Sequence, residues 1–305
     1  MIIPLSIHTT IFLTKERSDS MKPIAWVTDS TSTLDPEFAK NNHVYIVPLR
    51  LIVNDESYKE NIEITPEQFY DKMREHEKVS SSQPPIGEFI ELYEQLKEEY
   101  EEIIAVHCSS ELSGTYSTSL QAADIADTSV VGIDSKVGAY PIREMIMRGI
   151  HWHNMGFTVN EIKEKIENII QNMSFYLIPA SLSHLHRGGR LSGSQLVLGQ
   201  LLRIHLLLRF DEGKVIVDEK IRTFKKTKQR LLDILKKDLE LIKDVCIMHA
   251  NNMEEALILE EEIKDMAPAL RTEIMTFVPV AGIHAGEGTL ALAWIKNNSI
   301  NSILA

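Results

Sequence analysis

Four polar clusters, expected in loops at strand ends, carry the residue types that could do chemistry. They are Asp29-Ser30-Thr31-Ser32, Ser80-Ser81-Ser82-Gln83-Pro84, the run from Ser109 to Thr115 (SSELSGT), and the run from Gly282 to Gly288 (GIHAGEG). Hydroxyls and unpaired backbone N–H groups at helix starts are what an anion needs. A carboxylate or a phosphate would fit equally well. The bland alternative is that each cluster merely caps a helix or shapes a turn. Arg187 and Arg190 flank the Gly188-Gly189 pair, which ends one helix before Ser192 can cap the next. They offer planar cations for a carboxylate or phosphate, or are surface arginines.

The chain lacks GxxxxGK[ST], GxGxxG after its first strand, and HExxH. LSGTY is not the GxSxG nucleophile elbow. A Ser/His-dependent acyl hydrolase or transferase stays open only because His284 could approach a serine such as Ser110. No His spacing suggests a metal site. The two cysteines, Cys108 and Cys246, each close an apolar run and read as buried strand residues. No cofactor is expected.

These clusters need a scaffold, and the patterning predicts an α/β one with two domains. In residues 21–155, strands at Ile24–Val27, Val44–Ile52, Ile103–His107 and Val130–Ile133 alternate with helices, predicting a mostly parallel sheet flanked by helices. Pro48 places the second strand near a sheet edge. Thr65-Pro66-Glu67-Gln68 and Thr158/Glu161 read as capping boxes. Residues 156–305 predict a mixed sheet with helices. Asp211-Glu212-Gly213 is a hairpin turn between two strands, and further strands fall at Phe175–Ile178, Val245–Met248 and Ile274–Val278. The 282–288 segment is expected to return as a loop to the binding site. Residues 1–20 read as an extension outside the fold, which would begin at Met21.

The 305 residues allow one large or two ordinary domains. A net charge of −12 argues against a nucleic-acid partner and against binding an anionic membrane surface. The apolar stretch Ile2–Leu13 is too short to span a bilayer and lacks a basic n-region. The expectation is a cytoplasmic protein with no stable membrane insertion.

Together the motifs resemble the DegV family, the class that includes the fatty-acid-binding subunits of bacterial fatty acid kinase. The matching segments are VTDSTS at 27–32, SSSQPP at 80–85, SSELSGTY at 109–116, LSHLHRGGRLSG at 182–193, LLRIHLLLRFDEGKV at 201–215 and GIHAGEGTLAL at 282–292. The resemblance implies two α/β domains around one long-chain fatty acid, and a non-enzymatic carrier that presents it to a separate ATP-dependent kinase for acyl-phosphate formation and phospholipid synthesis. It places the carboxylate against Ser81, Ser82, Ser109, Ser110, Ser113, Thr115 and His284. Arg187, Arg190 and Arg203 become candidate contacts for a partner or phosphate. The chain departs from the family at Pro85, at Arg203-Ile204-His205-Leu206 (Lys-x-Lys-Pro in the family), and at Glu287, where an added anion beside His284 would raise its pKa.

Overall fold

A computed structural model describes residues 23–75, 78–180, 185, 188–191 and 204–297. The 1–20 extension, Arg187 and Arg203 lie outside the described residues. The chain is α/β, with a parallel sheet in its N-terminal part and a mixed sheet in its C-terminal part.

The parallel sheet has the order β2-β1-β6-β7, from Val44–Val47, Ala25–Asp29, Ile103–His107 and Val131–Asp134. Every residue of β1 and β6 is buried, as expected where helices cover both faces. The period-two alternation of side chains divides these strands between two cores. Ala25, Val27, Ile103 and Ala105 meet Phe89, Tyr93 and Leu96 of α3 (Ile86–Glu99) and Ala122 of α4 (Thr115–Ile125). Trp26, Ile104 and Val106 join a core with Ile142, Met145 and Ile146 of α5 (Tyr140–Asn154) and Ile162, Ile166 and Ile169 of α6 (Val159–Asn172). At Gly149 an added Cβ would fall 2.3 Å from the Trp26 ring, so only glycine lets α5 approach this closely. Among the described residues α1 is the short Pro36–Asn41 helix, capped by Asp35.

The mixed sheet has the order β10-β9-β8-β13-β11-β12. Its strands are β8 (Met173–Ile178), β9 (His205–Asp211), β10 (Lys214–Ile221), β11 (Asp244–His249), β12 (Arg271–Thr276) and β13 (Leu290–Ile295). Alternation again splits a strand: Ala291, Ala293 and Ile295 join the core shared with α5 and α6. Leu290, Leu292 and Trp294 pack with α7 (Phe224–Asp238) and α8 (Met253–Met266). Gly213 carries the hairpin turn at φ +86°.

A third, antiparallel sheet, β4-β3-β5, is made of Glu56–Lys59, Arg50–Val53 and Val79–Ser82. Leu49, Leu51, Val53 and Phe69 of this unit pack on Val280 and Ile283 of α9 (Pro279–Ala285). Phe69 lies on α2 (Pro66–Glu75), whose start has the Thr65/Gln68 capping bonds at 3.0 and 3.3 Å.

Three expectations change. Val44–Ile52 is not one strand: Pro48 separates β2, an edge of the parallel sheet, from β3, the centre of the antiparallel one. Ser80–Ser82 is not loop, because β5 pairs in register with β3, Ser81 opposite Leu51. The 282–288 segment is not wholly loop, since α9 continues to Ala285 before Gly286 turns the chain at φ +89°. Leu206, where the family has Pro, is a buried residue of β9 paired in the ladder.

Candidate functional site

The loop ends of the parallel sheet are ordered by one buried carboxylate. Asp29 ends β1, and its Oδ1 accepts from the Thr31 amide at 3.0 Å and from the Thr31 hydroxyl. Its Oδ2 accepts from the Cys108 amide at 2.9 Å and lies 3.1 Å from His107 Nδ1. His107 Nε2 lies 2.8 Å from the Ser119 hydroxyl, which also meets the Tyr93 hydroxyl. Burial would push the Asp29 carboxyl up, but the His107 hydrogen bond and charge, with the Thr31 and Cys108 donors, hold it below the usual carboxylate range.

A second buried carboxylate, Glu60, joins three elements. It accepts from the Ser30 hydroxyl and, at 2.7 Å, from the Val280 amide in the first turn of α9. Burial pushes its pKa up to about 7, against those two bonds and with the help of the Asp29 charge.

α9 carries His284 to β5, where His284 Nε2 lies 3.0 Å from the Ser81 hydroxyl. An added Cβ at Gly188 would fall 2.4 Å from His284 Nδ1, so glycine lets that backbone seat the ring. Burial, and then the positive charge of Arg190, push the His284 pKa down to about 4. The ring is therefore neutral at pH 7. Glu287 does not raise it: that carboxylate is taken by Arg74 Nη1 and Asn251 Nδ2.

These groups open on a cavity whose empty space, open solvent at its mouth included, is about 910 Å³. Its polar lining is Thr31, Ser81, Ser82, Gln83, Ser113, Arg190 and His284. The rest is almost all apolar, including Leu49, Leu112, Phe175, Leu177, Phe210, Val215, Phe277 and Val280. Of the residues expected at the carboxylate, the structure brings Ser81, Ser82, Ser113 and His284 to one cavity. Thr115 lies just behind them, fully buried, its hydroxyl 2.8 Å from that of Ser113. Ser109 and Ser110 are not brought there. The Ser109 hydroxyl is buried and donates to the Gly213 carbonyl at 2.7 Å. Ser110 is exposed and bonded to Asp134 through both its amide and its hydroxyl. Arg190, a candidate cation for a carboxylate, a phosphate or a partner, lines the cavity, with Nε donating to the Leu112 carbonyl at 3.2 Å.

Thr31, Gln83 and the aromatic lining escape sequence reasoning. Thr31 and Gln83 do sit inside the polar clusters. Gln83 is placed by its Nε2 bond to Thr118 and by Gly114, where an added Cβ would fall 1.9 Å from Gln83 Oε1. Phe175, Phe210 and Phe277 look from sequence like ordinary core.

A general base needs a third group to orient it, and buried His284 Nδ1 has no partner among the described residues. The Asp29–His107–Ser119 chain has the triad order, but all three residues are completely buried. Among the described residues, no helix is long and apolar enough to cross a membrane.

Comparisons with known proteins agree with the motifs. A family model described as uncharacterised protein of the DegV family matches residues 23–297. The DegV domain-containing protein BH3627 of Halalkalibacterium halodurans is 36% identical over 279 residues, covering 90% of this chain and 99% of its own. The crystal structure of DegV from Bacillus subtilis, described as a fatty acid binding protein, has a TM-score of 0.83 at 32% identity, covering 91% of this chain and 100% of its own. The fatty acid binding DegV family protein SAG1342 from Streptococcus agalactiae has a TM-score of 0.85 at 27% identity, covering 91% and 100%. With the matched motifs, the shared fold and a family match along nearly the whole described chain, the protein belongs to the DegV family.

Proposed function

We propose that this protein binds one long-chain fatty acid, with its tail in the apolar cavity and its carboxylate at Ser81, His284 and Arg190. Ser82, Ser113 and Thr31 complete the polar wall. The observation that carries this reading is a Ser–His pair beside one arginine in a mostly apolar cavity. The two relatives described as fatty acid binding support it.

The energetics divide the labour. Burying ~15 methylenes at roughly 0.8 kcal/mol each gives on the order of 10 kcal/mol before association costs. The tail therefore supplies affinity. A buried carboxylate without partners costs several kcal/mol. Arg190 offsets that with charge, and the Ser81 hydroxyl and neutral His284 add directional hydrogen bonds. The protein carries no phosphate-binding loop motif, so a separate ATP-dependent kinase would act on the presented carboxylate, forming acyl phosphate for phospholipid synthesis.

Native mass spectrometry of protein purified from a bacterial host tests the binding step. A co-purifying mass of one fatty acid per chain is expected. Protein that neither retains nor takes up any fatty acid would sink the reading. Phosphorylation of the bound acid on adding a purified bacterial fatty acid kinase and ATP tests the presenting step.

A further inference from the structure

The cavity shares two aromatic residues with a second space. Phe175 of β8 and Phe210 of β9 line the apolar cavity. The same two residues line a polar cleft of about 1410 Å³, open space included, whose other walls include Asp134, Lys136, Lys163, Glu167 and Arg209. Their centroids are 4.7 Å apart, tilted by 34°. Phe277 lies parallel to Phe175 at 6.4 Å and also lines the cavity.

The two rings differ in support. Phe175 is 4% exposed and braced by both other phenylalanines. Phe210 is half-buried near the end of β9, and its neighbours Arg209, Asp211 and Glu212 all face the cleft. Across the hairpin it pairs in register with Val215, which is buried and lines the cavity. The Ser81–His284 pair sits on β5 and α9, a different wall from the strands that carry the rings.

We propose that the Phe175–Phe210 pair is the chain-length stop of the lipid site, with Phe210 as its specificity-determining half. The proposal rests on the fatty-acid reading above. Each methylene buried before the rings strengthens binding roughly fourfold. A methylene pushed beyond them would enter a cleft walled by charged, partly exposed side chains, where that gain ends. Affinity should therefore climb with acyl length and then break. Truncating Phe210 would join the two spaces and move the break to longer chains. Filling the position opposite, with Val215→Phe, would move it to shorter ones.

The test titrates delipidated protein with saturated acids of about 10 to 20 carbons, by displacement of a fluorescent fatty acid. Wild type should show the fourfold-per-carbon climb and a plateau. Phe210→Ala should shift the plateau by about two carbons or more, and Val215→Phe should shift it the other way. Phe210→Leu keeps an apolar side chain at the site, should Phe210→Ala fail to fold, and should shift the plateau in the same direction as Phe210→Ala. Ser81→Ala should weaken every acid alike and leave the break in place. If wild type binds none of the acids, the fatty-acid reading fails and the stop with it. If wild type binds them but the break does not move in the folded Phe210 variants, the stop alone is overturned.

Discussion

Two serine–histidine pairs, one on β6 and α4 and the other on α9 and β5, have opposite fates. His107 and Ser119 are 2.8 Å apart, and His284 and Ser81 are 3.0 Å apart. The first pair is saturated: Asp29 takes the other imidazole nitrogen, Tyr93 meets the serine, and none of the four polar groups is exposed to solvent. The second pair faces a cavity and leaves His284 Nδ1 without a partner among the described residues. The same chemistry therefore does different jobs. A satisfied buried network fixes backbone, here Thr31 and Cys108. An incompletely satisfied one beside a cation is available to a ligand.

The largest effect that would sharpen this contrast is Asp29→Ala. It leaves the His107 ring, the Thr31 amide and the Cys108 amide buried without their acceptor, and should cost about 3–5 kcal/mol in urea unfolding. A loss under ~1 kcal/mol would break the distinction.

Glu60 tests the link between the loops and α9. Its pKa of about 7 in the fold lies above the ordinary carboxylate value, so the fold binds its proton more tightly than the unfolded chain. Its contribution is fully present below about pH 4.5 and is lost as pH rises through about 7, at most about 3 kcal/mol in all. Glu60→Gln should flatten the slope of stability against pH across that window and raise stability at pH 8. A slope unchanged from wild type would refute this role.

Ser81→Ala comes next. It should weaken fatty acid binding by about 10- to 100-fold, the worth of one hydrogen bond to a charged head, while unfolding shifts by under about 1 kcal/mol. Equal losses in both measurements would make the Ser81–His284 pair structural like its counterpart. The smallest effect is Ser110→Ala. An exposed hydroxyl bonded to Asp134 should change neither affinity nor stability beyond about 0.5 kcal/mol. A Ser81-sized loss of affinity there would move the head site to the exposed loop.

Much of the scaffold is legible in the sequence because its signals are local. Ile103–His107 is an apolar run bounded by polar residues, and it forms a strand with those limits. The Thr158/Glu161 box closes reciprocally at the start of α6, and Asp211-Glu212-Gly213 turns β9 into β10. β5 escapes because three serines carry no apolar alternation; only pairing with β3 makes them a strand. α9 escapes because Gly282 looks like a loop residue, yet an added Cβ there would fall 2.3 Å from the Tyr70 hydroxyl, so the glycine serves close packing. The head residues are half legible for a related reason. Serine clusters announce an anion site but not which hydroxyl faces it, because Ser109 and Ser110 were claimed by Gly213 and Asp134, partners about 100 and 24 positions away.

Residue order alone determined the α/β alternation, the helix caps, the hairpin and the supply of hydroxyls, since each depends on neighbours within a few positions. Tertiary structure decided which serine meets His284, that burial and then the charge of Arg190 hold that imidazole neutral, and that Phe175 and Phe210 line the greasy cavity. Those outcomes depend on burial and on contacts between distant strands, and desolvation and packing act only once the sheets have met.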